Sequence, residues 1–298
     1  MFTSFKEIIA AAKKMGGKRI AVAGAASEPV MDALKMAVDY SIAEPVLIGE
    51  KKKIEQLAEE SGFSLKDYEI IDLHNDEQIA EKAAELVAEG AVNGLMKGKV
   101  STPVMLKAVL NKKFNLCADR LLSHIALLEL DSYPKLLMVT DGGMVIRPNL
   151  EQKVGILKNG IEMMVKLGVD VPKVAVLAAI EKVSPKMPET LDAEMLVQMA
   201  LKGEFNNAVI EGPLAVDIVF SPEAAEIKGV KSEVSGNADI LLVPDIACGN
   251  IFAKGLWHLA GARIGGLILG AKCPVILLSR SDNAETKLNS MALGIVTS

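Results

Sequence analysis

Short apolar runs rich in β-branched residues recur from one end of the chain to the other, each followed by a longer segment of helical periodicity. Residues 19–24, 45–49, 69–73 and 94–98 read as strands, and 135–141, 173–180, 207–211, 239–244 and 274–279 continue the series. Between them, Ser27-Glu28-Pro29 opens a helix with a cap and an early proline. Residues 76–89 carry Ile79, Ala83, Leu86 and Val87 on one helical face. Thr102-Pro103 opens another helix, and 150–167, 190–201, 250–260 and 284–293 follow. Strands that are apolar almost throughout, alternating with helices, predict an α/β fold with a largely parallel sheet covered on both faces.

The remaining composition narrows the class. With 298 residues, half of them hydrophobic, the chain has material for one large or two medium domains. It buries about three-quarters of its unfolded surface without staples. The Ser132-Tyr133-Pro134 break is the best candidate boundary, and no internal repeat or low-complexity tract is evident. The 33 basic and 38 acidic residues are spread along the chain, for a net charge of −5, and no Lys/Arg stripe marks a nucleic-acid face. The 14 methionines read as flexible core filling. Cys117, Cys248 and Cys273 are widely spaced with no C-x-x-C, which fits a reducing compartment and argues against a zinc site or disulfide framework. His74, His124 and His258 form no metal signature. The first residues lack a signal-peptide layout, and the apolar runs fall short of the ~18 residues of a membrane span, so a soluble, cytoplasmic protein is expected.

In open α/β sheets ligands bind beyond the carboxyl ends of the strands. Those ends read Gly98-Lys99-Val100-Ser101-Thr102, Thr140-Asp141-Gly142-Gly143, Glu211-Gly212-Pro213, Pro244-Asp245-Ile246-Ala247-Cys248-Gly249-Asn250 and Ser279-Arg280-Ser281-Asp282. Hydroxyls, glycines and single cations suit an anion such as phosphate. Gly98-Lys99 is no P-loop, because Val100 follows the lysine and Gly94 is one residue too close. What survives is a strand, a small polar turn and a helix whose free amides and dipole favour an anion. Lys107, one turn into that helix, is placed to reach back toward it; an ordinary Thr cap with solvated lysines is the alternative. No G-x-G-x-x-G follows a strand, which disfavours a dinucleotide site, and no G-x-S-x-G supports a serine hydrolase. Arg280 presents a planar fork for phosphate or a developing oxyanion, with the Ser279 hydroxyl beside it; a strand-end Arg paired with a surface carboxylate is the alternative. Asp282 or Asn283 is the expected cap of the last helix.

Taken in order, Met96-Lys97-Gly98-Lys99-Val100-Ser101-Thr102-Pro103, Leu122-Ser123-His124, Val139-Thr140-Asp141-Gly142-Gly143-Met144, Glu211-Gly212-Pro213-Leu214-Ala215-Val216-Asp217, Val243-Pro244-Asp245-Ile246-Ala247-Cys248-Gly249-Asn250 and Leu278-Ser279-Arg280-Ser281 resemble the phosphate acetyl/butyryltransferase family. The likeness runs from about residue 15 to 298 and is nearest to the butyryl and branched-chain branch. It implies a reversible transfer, acyl-CoA plus phosphate to acyl phosphate plus CoA, with butyryl or branched short-chain groups ahead of acetyl. It also implies a two-domain, isocitrate/isopropylmalate dehydrogenase-like fold, three-layered α/β/α with mostly parallel sheets, usually a homodimer. Domain I would take 1–138 plus 273–298 and domain II 139–272, with the active site in the interdomain cleft. Ser279 and Arg280 match the family's catalytic pair, and Ser123 a phosphate-contacting turn. Lys107 lies where acetyl-branch members carry an Arg. With these, Ser101, Thr102 and Asn250 make up the expected phosphate and CoA contacts.

Two positions depart from the acetyl branch. Its acidic pair early in the last helix is Glu285-Thr286 here, and His124 stands where that branch tends to have Gly. Glu285, with Asp282 second and as helix cap otherwise occupied, is the candidate base for the CoA thiol; the alternative is activation by the charge of Arg280 alone. CoA enters as substrate and product, and no metal or bound cofactor is expected. The partners implied are small molecules, with no nucleic acid and no membrane. Readings of other classes are a related-fold metal-dependent dehydrogenase and a non-catalytic small-molecule binding protein.

Overall fold

The computed structural model describes residues 1–117, 120–277 and 282–298. In chain order it begins α1 (Phe5–Met15), β1 (Lys18–Ala23), α2 (Glu28–Asp39), β2 (Ala43–Gly49), α3 (Lys51–Ser61), β3 (Ile70–Asp72), α4 (Asp76–Ala88), β4 (Gly94–Lys97) and α5 (Thr102–Val109). The middle holds β5 (Ser123–Glu129), β6 (Leu137–Thr140), α6 (Leu150–Lys166), β7 (Lys173–Leu177), α7 (Pro188–Leu201), β8 (Val209–Leu214), α8 (Val216–Phe220), α9 (Pro222–Ile227), β9 (Ile240–Leu242) and α10 (Ile246–Leu259). The end is β10 (Arg263–Leu269), β11 (Val275–Leu277) and α11 (Ala284–Thr297). This is a mixed α/β fold with mostly parallel strands. The pairs β5/β6 and β10/β11 are antiparallel.

The chain forms two compact units, one of Phe5–Arg120 with Ile264–Ser298 and one of Met1–Ser4 with Leu121–Arg263. These divisions at 120/121 and 263/264 differ from the expected 138/139 and 272/273. Tyr133, at the break that suggested a boundary, donates its hydroxyl to Ala238 O at 2.8 Å and packs edge-on against Phe220, which ties it into the second unit.

In the unit built from both chain ends the strand order runs β3-β2-β1-β4-β11-β10. Ile20, Val22, Leu47, Ile48, Leu95 and Met96 are essentially inaccessible to solvent. Burying each such side chain stabilises the fold by about 1.5–3 kcal/mol. α11 packs on α1 and α2 and is buried along most of its length. Its interior polar groups find partners: Asn289 donates to Ile264 O, and Ser290 Oγ accepts from Gly266 N. Because β2 and β4 flank β1 on opposite sides, the winding reverses between β1 and β4. At that reversal two strand-end glycines interlock. A Cβ on Gly98 would lie 2.3 Å from Gly24 O, and Gly24 itself has a φ of +76°.

In the other unit the order is β5-β6-β9-β7-β8. Buried Asp239 braces it, accepting from Lys173 N at 2.8 Å and pairing with Lys135 at 2.7 Å.

Most expected elements are present, with shifted ends. The strand expected over 173–180 stops at Leu177. The last helix runs on to Thr297. The helix expected from residue 250 starts at Ile246, because Asp245 caps it by accepting from Cys248 N at 2.9 Å. β5, β10, α1, α3, α8 and α9 are additions. Of the strand expected over 274–279, residues 278 and 279 lie outside the described residues.

Candidate active site

The winding reversal is where ligands gather in open α/β sheets. A cavity of about 780 Å³ opens there, wholly within the unit built from both chain ends. Its floor is the strand-end backbone of Gly24, Gly49 and Gly98, and its walls include Val30 of α2, Leu57 of α3 and Ile79 of α4. Lys53, Lys97, Lys99 and Lys287 line it, against the carboxylates of Glu28, Glu50 and Asp76. The volume lies in the range of small-molecule sites, roughly 300–1,000 Å³.

Two of the lysines are almost wholly buried, Lys97 at 7% and Lys287 at 3% exposed. Lys97 Nζ donates to Gly98 O at 3.2 Å and Val100 O at 3.4 Å. Lys287 Nζ donates to Asp282 O. Burial pulls the Lys287 ammonium below the usual lysine range, opposed by the charges of Asp282 and Asp32. The sequence reading missed both side chains. The signal available was a charge closing the apolar run Leu95-Met96 and another just ahead of the apolar stretch Met291-Ala292-Leu293 of the last helix.

The expected residues fall as follows. Ser279 and Arg280 lie outside the described residues. Ser101 is the N-cap of α5 without a side-chain capping bond, and Thr102, expected as a possible cap, is the exposed first helical residue. Lys107 does not reach back to the turn: it sits in the last turn of the short α5, 78% exposed, with Nζ 3.4 Å from Glu77 Oε1. The reason is helix length, since α5 directs residue 107 toward neighbouring α4. Glu285 is exposed in the first turn of α11. The cap of that helix is Asn283, which accepts from Thr286 N at 2.8 Å, so Asp282 does not hold the capping role assigned to it.

Ser123 and Asn250 belong to the other unit. Ser123 is inaccessible, and its Oγ accepts from Asn159 Nδ2 at 2.9 Å; the same amide donates to Leu121 O. Asn250 lies one turn into α10, exposed, with Nδ2 donating to Gly142 O at 3.3 Å. That carbonyl belongs to a turn organised by Asp141, which is 1% exposed. Asp141 Oδ1 accepts from Gly143 N (2.9 Å) and Met144 N (2.7 Å), and Oδ2 from Val145 N (3.2 Å) and His124 N (3.0 Å). Gly142 is packed on α10 closely enough that a Cβ on Gly249 would lie 2.7 Å from its Cα.

The thiols are poor nucleophiles as placed. Burial raises all three, Cys273 to about 12. Among the described residues no group of three or more His, Cys, Asp or Glu side chains is arranged to hold a metal ion, and no helix is long and apolar enough to cross a membrane.

Comparison with known proteins defines the class. The family model described as "Phosphate acetyl/butaryl transferase" matches residues 4–82 and 77–295, and the chain belongs to that family. A phosphate butyryltransferase of Clostridium acetobutylicum is 41% identical over 293 residues, covering 98% of this chain and 97% of the relative. A phosphate acetyltransferase of Thermotoga maritima is 40% identical over 280 residues, 94% of this chain and 95% of the relative. Among solved structures, a branched-chain phosphotransacylase from Enterococcus faecalis V583 superposes with a TM-score of 0.84 at 30% identity, over 94% of this chain and 98% of that one.

Proposed function

We propose that this protein is a phosphate acyltransferase that interconverts acyl-CoA plus phosphate with acyl phosphate plus CoA, acting on butyryl or branched short-chain groups. The observation that carries the reading is identity of 41% to a phosphate butyryltransferase across 98% of the chain. Acetyl transfer is the second reading, favoured by the comparable identity to the Thermotoga acetyltransferase. The isocitrate/isopropylmalate dehydrogenase-like architecture, a homodimeric state, a cytoplasmic location and the absence of a bound cofactor are part of the same proposal.

In the direction of acyl-CoA formation, the CoA sulfur gives up its proton and attacks the acyl carbonyl carbon of the acyl phosphate. The carbon–sulfur bond forms, the carbon–oxygen bond to the phosphoryl group breaks, and inorganic phosphate leaves. No protein nucleophile is required, and the raised thiols of Cys117, Cys248 and Cys273 supply none. Holding both reactants in line contributes about 7–11 kcal/mol of barrier reduction. Arg280 and Ser279 serve the charge that develops on the carbonyl oxygen and the departing phosphate, an electrostatic role worth about 2.7–4 kcal/mol per donor. Glu285, not used as the α11 cap, is the carboxylate that takes the thiol proton. Ser101 and Thr102 at the start of α5, and Asn250 one turn into α10, contact phosphate or CoA. Ser123 and Lys107 already have protein partners and act as supports.

The test follows free thiol released from butyryl-CoA with and without phosphate, against a panel of acetyl-, isobutyryl- and isovaleryl-CoA. Phosphate-dependent release with the highest kcat/KM for a four- or five-carbon group is expected. Release without phosphate, or activity abolished by a chelator and restored by a divalent cation, would overturn the reading.

A further inference from the structure

α10 is packed the opposite way round from a solvated surface helix, which hides its large apolar side chains and shows polar ones. Its two buried residues are the small Gly249 and Ala253, which let it lie close on β5, β6 and the backbone of the Asp141 turn. The large apolar residues are left outside that contact. Ile251 is 72% and Leu259 90% exposed, with half-buried Phe252 and Leu256 alongside. At about 100° per residue, Ile251, Gly255 and Leu259 fall on one side of the helix. Gly255 leaves a notch between the two large side chains, since a Cβ there would meet nothing within 4 Å. The helix carries one lysine, Lys254, and no acid, and the lysine lies about 100° around from the notch.

We infer that this side of α10 docks antiparallel on the same helix of a second copy of the chain, with the two-fold axis at Gly255. A two-fold contact needs a patch that is complementary to itself. Ile251, Gly255 and Leu259 meet that requirement, because large, notch and large read alike from either end. Gly255 faces its own copy, and Ile251 faces Leu259 of the partner subunit. The notch lets the helix axes approach to about 8 Å, the short end of the range for packed helices. Antiparallel packing also sets the positive N-terminal end of each helix dipole beside the negative C-terminal end of the other. Asn250 lies about 140° around the helix from Gly255, so the contact leaves uncovered the side from which Asn250 donates to Gly142 O. The inference gives a place to the homodimeric state within the proposed function, and it is read from association alone, not from acyl transfer.

Sedimentation velocity over a dilution series of the wild-type chain, Ile251→Glu and Leu259→Glu tests this. Wild type should sediment as a dimer. Each glutamate is solvated in the protomer and desolvated in the contact, and should weaken dimerisation by about a hundredfold or more. Far-UV circular dichroism and a cooperative urea transition check that the protomers stay folded. A second arm oxidises Gly255→Cys with copper phenanthroline in air, in a Cys248→Ser background that removes the exposed native thiol. Gly255→Cys should join two protomers by a disulfide, and Lys254→Cys in the same background should do so at least tenfold less. A monomeric wild type, glutamate variants that dimerise within twofold of wild-type affinity, or Gly255→Cys cross-linking no more than Lys254→Cys overturns the inference. Should a glutamate variant fail to fold, the cross-link comparison decides. Loss of acyl transfer in a chain that dimerises and cross-links as expected strikes the proposed function and leaves this inference standing.

Discussion

Replacing Asp141 by Asn changes one oxygen to an amide at a carboxylate that organises a whole turn. Four backbone N–H groups converge on the two oxygens, from Gly143, Met144, Val145 and His124, at 2.7–3.2 Å in a site 1% exposed. In Asp141→Asn one oxygen keeps its two donors, but the amide NH2 faces the other two. Each stranded buried donor costs about 1–3 kcal/mol, and the two surviving bonds drop from charge-assisted to neutral strength. The expected loss is about 3–6 kcal/mol in the unit that contains the turn. The chain's single tryptophan, Trp257, lies on α10 of that unit, so its fluorescence during urea unfolding reports the relevant transition. Asp141→Asn should move that transition to markedly lower urea with little change in slope. A loss below about 1 kcal/mol would refute the account of Asp141 as the organiser of residues 141–145.

Arg280→Ala is expected to lower kcat by about 10²-fold or more with unfolding unchanged, and Arg280→Lys to recover only part; unaltered kinetics would remove Arg280 from the chemistry. Ser123→Ala deprives Asn159 of an acceptor and should cost about 1–3 kcal/mol while leaving KM for phosphate within twofold; a tenfold rise in KM at unchanged stability would make Ser123 a substrate contact. Gly98→Ala drives a Cβ to 2.3 Å from Gly24 O and should destabilise by about 2–3 kcal/mol, measured by thermal unfolding; a neutral result would mean the strand ends part easily. Burial holds Cys273 as a thiol until about pH 12, so iodoacetamide at pH 8 should label exposed Cys248 first, Cys117 next and Cys273 last; early labelling of Cys273 would contradict its burial.

The alternating rhythm was legible because strands covered on both faces must be apolar almost throughout, and 94–97 or 173–177 satisfy that on sight. The two strands that escaped notice, β5 and β10, each belong to one of the antiparallel pairs. β10 carries Gly265-Gly266, a pairing that argues against a strand until Phe5 is seen pressing where a Gly265 Cβ would sit, at 2.9 Å. The candidate site was legible as a set of strand ends and illegible as a set of contacts. Residue 107 has the right charge, but nothing in the sequence states that α5 ends at Val109 and turns it toward Glu77. Asp282 and Asn283 are both good caps, and the choice between them is made by backbone geometry. Lys97 and Lys287 were passed over because charge normally signals solvent, and burial is a property of the assembled unit.

The placement of β11 against β4 has a consequence for how the chain comes off the ribosome. Leu95, Met96 and Lys97 pair with Val275, Ile276 and Leu277, so the neighbour of an interior strand is made long after it. At the usual 5–20 residues per second, β4 waits on the order of ten to forty seconds with one side unpaired. An apolar strand left open in this way invites pairing with another nascent chain. β4 is four residues long and closes on a lysine, two traits that blunt such an edge, so the lysine that ends buried beside the cavity also guards the strand while the chain is incomplete.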